Sequence, residues 1–126
     1  MSGARLALAF AASAALLARS ARAADPDPWF GRDKALHFGV SALLASGGYA
    51  TTALATDDRR VRLAAGGAFA ISLGIAKELW DLSGHGDASW RDLTWDAAGT
   101  LTGLAVAAAV DWTIERLAGR RPAHAP

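Results

Sequence analysis

The chain has 126 residues, 52% of them hydrophobic, no cysteine and a formal net charge of +1. That bounds it to one small domain and excludes disulfides, thiolate metal sites and a lipidated cysteine. Without the first 23 residues the chain loses Arg5, Arg19 and Arg22, so 13 basic residues become 10 against 12 acidic ones, a net of −2, and nucleic acid, which needs a basic face, is excluded as a partner.

Residues 1–23 read as a signal peptide. Arg5 supplies the basic n-region, Leu6 to Leu17 the short apolar core, and Ala21-Arg22-Ala23 a small-x-small cleavage site. An apolar core of about 12 residues is too short to cross a bilayer, which takes about 20. Arg19 and Arg22 beyond it keep an uncleaved anchor as the alternative. Residues 24–32 form an extended spacer, because the prolines of Asp25-Pro26-Asp27-Pro28 push their predecessors out of the α region.

Residues 33–118 form the domain. The first helix is predicted over 33–55, with no formal charge from Ala35 to Thr56 and a length able to cross a membrane. Thr56-Asp57-Asp58-Arg59-Arg60 is a charged turn in which Asp57 or Asp58 caps a second helix over 59–82. Gly84 and Gly86 break that helix. Ser89, with Asp92 three residues on, opens the third helix as a variant capping box, and Gly119 and Pro122 close it. A disordered tail occupies 119–126. No period-two apolar alternation is present. The fold class is therefore all-α, an antiparallel three-helix bundle after an N-terminal signal peptide.

Short connections make the helices antiparallel. The start of the first, the end of the second and the start of the third then share one side, carrying Asp33, Lys34, His37, Lys77, Glu78, Asp81, Arg91, Asp92 and Asp96. Ridges of small residues aim these groups inward: Gly66, Ala70 and Gly74 lead to Glu78, Ala45 and Ser41 lead to His37 and Asp33, and Gly103 and Gly99 lead to Asp96. The Gly99–Gly103 GxxxG pair also permits a homodimer.

Trp29, Trp80, Trp90 and Trp95 gather on the cluster side, as an interfacial belt would. Arg59, Arg60, Arg62, Arg116, Arg120 and Arg121 fall on the opposite side, largely without compensation beyond Asp57, Asp58, Asp111 and Glu115, which matches positive-inside topology. These patterns favour an inner-membrane protein with its cluster facing the periplasm. The alternative is a soluble periplasmic bundle with the tryptophans in its core. Leu63 to Ala76 and Ala97 to Val110 are each 14 uncharged residues, about 21 Å of helix, so spanning draws Lys77, Glu78 and Asp96 into the membrane profile.

Three blocks of this sequence resemble the YfiM-like family of bacterial lipoproteins, a domain of unknown function. They are Trp29-Phe30-Gly31-Arg32-Asp33-Lys34-Ala35-Leu36-His37-Phe38, Ser72-Leu73-Gly74-Ile75-Ala76-Lys77-Glu78-Leu79-Trp80-Asp81, and Ser89-Trp90-Arg91-Asp92-Leu93-Thr94-Trp95-Asp96-Ala97-Ala98-Gly99. A weaker similarity joins them to VanZ-like membrane proteins, associated with glycopeptide resistance. The resemblance implies a cell-envelope protein and brings no activity. Lacking the lipoprotein cysteine, this chain must anchor through its own helices or not at all.

The cluster has three readings. Lys34, Lys77 and Arg91 with two helix N-termini suit an anionic or amphiphilic membrane lipid or cell-wall precursor. His37, Glu78, Asp81 and Asp96 suit a divalent metal and hydrolysis, although no HExxH pair or Ser-His-Asp order is present. As a salt-bridge network the cluster would fix helix register. No cofactor is expected.

Overall fold

The computed structural model describes residues 26–119. The expected signal peptide and nearly all of the expected tail lie outside them. Three helices, α1 (Arg32–Thr52), α2 (Arg59–Trp80) and α3 (Trp90–Leu117), pack as an antiparallel bundle, with no strand among the described residues. The all-α three-helix expectation holds, with the ends of the first two helices shifted by local chemistry.

α1 stops three residues short of its expected end, and Leu54 N–H and Ala55 N–H close onto Thr51 and Thr52 carbonyls in a tighter turn. Asp58, one of the two expected caps, accepts from Arg60 N–H at 2.8 Å. α2 widens into a π-type turn, Asp81–His85, which Gly84 ends at φ 97°, a left-handed conformation suited to glycine.

α1 is the central helix: it packs most extensively on α3, then on α2, and the α2–α3 contact is the slightest. Glycine makes this closeness attainable. A Cβ on Gly99 or Gly103 would collide with the α1 backbone at Phe38 and Ala42, and one on Gly66 would come within 2.6 Å of the Ala45 carbonyl. The GxxxG pair that admitted a homodimer therefore faces α1 of the same chain.

Polar and apolar groups are distributed opposite to a water-soluble core. The buried apolar residues are Ala45, Tyr49 and Ala70, while Lys34, Arg62, Glu78, Asp92 and Asp96 are buried too. Large apolar side chains point outward, Leu43 at 75% and Leu101 at 69% exposure among them. Nor do the tryptophans fill the core, since Trp29, Trp80, Trp90 and Trp112 are all exposed. Among the described residues two helices, α2 carried through its turn (Arg59–His85) and α3, are long and apolar enough to cross a membrane. They are not the helix whose uncharged length stood out in the sequence. α1 spends its interior on Ser41, Ser46 and Gly48, small residues that let its neighbours approach.

Candidate functional site

The bundle end formed by the α1 start, the α2 end and the α3 start brings the expected ionic residues together, with Asp92 as the hub. Its carboxylate accepts from the Lys34 ammonium, lies 3.4 Å from His37 Nε2 and 3.5 Å from Lys77 Nζ. Lys34, 3% exposed, also donates to Asp27 and, at 3.3 Å, to Asp33. Lys77 reaches Glu78 and Asp81, each at 2.9 Å. Asp96 Oδ1 accepts from Ser41 Oγ at 2.7 Å and lies 3.0 Å from His37 Nδ1, so the imidazole is held between two carboxylates of α3. An ammonium so surrounded recovers in hydrogen bonds what burial costs it.

Four details differ from the sequence reading. Asp33 points outward, its side chain 68% exposed, and Lys34 takes the inward place. One residue turns a helix by about 100°, and the buried line Lys34–Ser41–Ala45–Tyr49 faces the interior, where Lys34, Ser41 and Tyr49 bond to α3 and Ala45 packs on Gly66 of α2. Asp92 does not complete a capping box. Ser89 Oγ does accept from Arg91 and Asp92 N–H, but Ser89 N–H donates to Glu78 Oε2 across the bundle at 2.5 Å instead of to Asp92. Arg91 lies over the Trp29 and Trp90 rings, 5.4 and 6.0 Å from their centroids, a cation–π arrangement.

The fourth detail is Asp27, placed by sequence in a featureless spacer. It accepts from Lys34 and, at 2.6 Å, from Ser89 Oγ. The Lys34 bond first, and then the Ser89 bond, hold its carboxyl below the ordinary value of 3.8. Only its contacts across the fold reveal it, because Asp-Pro pairs carry no periodic signal.

The metal set expected from sequence does not converge. Glu78 and Asp81 share Lys77, and only His37 and Asp96 meet. Asp33, His37 and Asp92 do bring one ligand atom each within 4.8 Å of one another. The Lys34 ammonium already contacts both of those carboxylates, supplying the positive charge a metal would bring.

A cleft of ≈ 310 Å³ opens between α1 and α2 beside this network. Asp33, His37, Ser41, Lys77 and Asp96 form its polar end, and Leu36, Val40, Leu44 and Leu73 its apolar walls. Asp96 is 3% exposed, and its Oδ2 has no hydrogen-bond partner. Gly74 makes room for that oxygen, since a Cβ there would stand 2.7 Å from it.

The opposite end carries a second network, in which Asp57, Asp111 and Glu115, acidic residues expected beside the basic face, pair with two of its arginines. Arg62, 5% exposed, donates to Asp111 at 2.8 Å, to the Thr56 carbonyl at 2.7 Å and to Asp57 at 3.1 Å. Tyr49 donates to Asp111 at 2.7 Å, and Arg59 pairs with Glu115 at 2.8 Å. Arg116 stacks over Trp112 at 4.2 Å. Asp111 and Glu115 are four apart on α3, facing Arg59 and Arg62, three apart on α2. That spacing was readable in the sequence once the antiparallel register was known.

No protein-family model, no curated protein and no solved structure matches the chain.

Proposed function

We propose that this is a membrane-embedded protein of the cell envelope whose ionic end, facing the periplasm, holds the polar head of an amphiphilic envelope molecule. The observation that carries the proposal is the inverted distribution of side chains: ionic networks inside, large apolar side chains outside. Charged groups in a membrane face the bundle interior and pair with one another, while the outward apolar groups need lipid around them. The aromatic spacing agrees. Trp90 and Trp112 stand 22 residues apart on α3, about 33 Å along the axis, which brackets a hydrocarbon layer of about 30 Å. Asp92 and Asp96 then lie about 3 and 9 Å inside the Trp90 level, and the Arg62–Asp111 network lies at the other boundary. The blocks that resemble YfiM-like proteins hold all nine site residues predicted from sequence, which accords with a shared role for that end.

An amphiphile fits because the cleft joins a polar end to apolar walls. The test is the lipid that leaves the membrane with the protein. In mild detergent the full chain should co-purify with one amphiphile class enriched over the bulk membrane, and Asp96→Ala should lose that enrichment. Co-purified lipid mirroring the bulk would refute the binding role.

A second reading has its own observation: all three cluster cations are already engaged, Lys34 and Lys77 by carboxylates and Arg91 by aromatic rings. In that case the cluster is a register-fixing network. Its signature is loss of folding in both Glu78→Ala and Asp96→Ala, with no lipid class enriched in the unaltered protein.

A further inference from the structure

Resting on the amphiphile reading above, the geometry points to the head and the shape of that molecule: a single-chain amphiphile with a primary ammonium head, bound along the α1–α2 seam with its head at Asp96.

The seam supplies the chain slot. Beyond the polar cleft, a second cavity of ≈ 380 Å³ is lined by Leu43, Leu44, Gly47, Gly48, Thr51 and Phe69 among others. Leu44 borders both cavities, which therefore lie end to end along the seam. On α1 it runs from residue 33 to residue 52, about 28 Å of helix, on the scale of one hydrocarbon tail rather than a small polar solute. Gly47 holds part of it open, with nothing within 4 Å of where its Cβ would be.

The head chemistry follows from what the polar end lacks. Asp96 Oδ2 is a buried acceptor with no donor, and leaving such a group unpaired costs about 1–3 kcal/mol or more. Neighbouring groups do not reach it: Ser41 and His37 meet Oδ1, and Lys77 is engaged by Glu78, Asp81 and Asp92. A ligand N–H satisfies it, whereas a phosphate or carboxylate head would set one acceptor against another. The charge balance agrees. Seven carboxylates (Asp27, Asp33, Glu78, Asp81, Asp87, Asp92, Asp96) stand at this end against Arg32, Lys34, Lys77 and Arg91, which leaves it short of positive charge.

The test uses the full chain in nonionic detergent with hexadecylamine, hexadecyl phosphate or hexadecyl glucoside as probe, and reads retained adducts by native mass spectrometry. Hexadecylamine should be retained about tenfold or more over the other two, the scale of one charge-assisted hydrogen bond. Asp96→Asn keeps the side-chain shape and an acceptor for Ser41 but puts an amide N–H₂ in place of Oδ2, so amine retention should fall by about tenfold or more. Gly47→Leu, at a position with open space, should lower hexadecylamine retention by about tenfold and spare octylamine, because a few methylenes of lost burial suffice for that factor. Circular dichroism checks that each variant folds, and Gly47→Leu keeps the test decisive if Asp96→Asn does not.

Equal retention of all three heads, or a preference for the phosphate, would overturn the ammonium assignment. Amine retention indifferent to both variants would overturn the location. If the phosphate or glucoside is retained and Gly47→Leu abolishes it, the amphiphile site stands and only the ammonium falls. Retention of none of the three would remove both.

Discussion

The same substitution, glycine to alanine, should act in opposite directions at two positions of α1 and α3. Gly103 faces α1 so closely that a Cβ would collide with the Ala42 carbonyl and backbone, and its own carbonyl accepts from Ser46 Oγ at 2.9 Å. Backbone cannot swing aside as a side chain does, so Gly103→Ala must push the helices apart. Overpacking costs about 1–3 kcal/mol, and losing the Ser46 bond adds about 0.6–1 kcal/mol. Against this, alanine gains about 0.5–1 kcal/mol over glycine inside a helix. The net is a loss of about 1–3 kcal/mol, a sizeable share of a typical 5–15 kcal/mol. Gly47, with nothing within 4 Å of its Cβ position, keeps only the gain, so Gly47→Ala should stabilise by about 0.5–1 kcal/mol. Unfolding of the purified chain by SDS in mixed micelles, followed by far-UV circular dichroism, measures both. The midpoint should fall for Gly103→Ala and rise for Gly47→Ala. Equal shifts, or a harmless Gly103→Ala, would refute the reasoning that glycine sets the α1–α3 distance.

Three further outcomes are expected. Glu78→Ala strips the acceptor from Ser89 N–H and should cost about 1–3 kcal/mol in the same unfolding assay, while Glu78→Gln, which keeps an oxygen there, should cost less. Because Asp27 has a lowered folded-state pKa, its stabilisation is present above the ordinary carboxylate value of 3.8 and is lost as pH falls below it; Asp27→Asn should lower the thermal midpoint at neutral pH and flatten the acid limb of the profile, so that variant and unaltered chain converge at low pH. At the other end, Arg62→Ala leaves Asp111 without its buried cation, with Tyr49 still donating to it, and should cost about 3–5 kcal/mol, against about 1 kcal/mol for Tyr49→Phe. A denaturation series on these two variants checks the ratio.

Much of the architecture was legible because helix ends carry chemical punctuation. Asp58 and Ser89 cap where their side chains suggest, and the glycines after Trp80 end α2 in a turn. Antiparallel packing alone then carried the ionic residues to one end. What stayed hidden was rotation and register. Asp33 and Lys34 are neighbours in sequence, and only the position of α3 decides that Lys34 is the inward one. The bond from Ser89 N–H to Glu78 and the pairing of Arg59 with Glu115 join residues of different elements, so no periodicity announces them. Asp27 acts from outside any helix.

The central claim, that the outward apolar faces lie in lipid, is tested most directly by alkaline carbonate extraction of membranes from cells expressing the full chain, followed by flotation. The chain should resist extraction and rise with the vesicles. Recovery in the soluble fraction would contradict the account and leave the ionic end as the internal network of a bundle that lives in water.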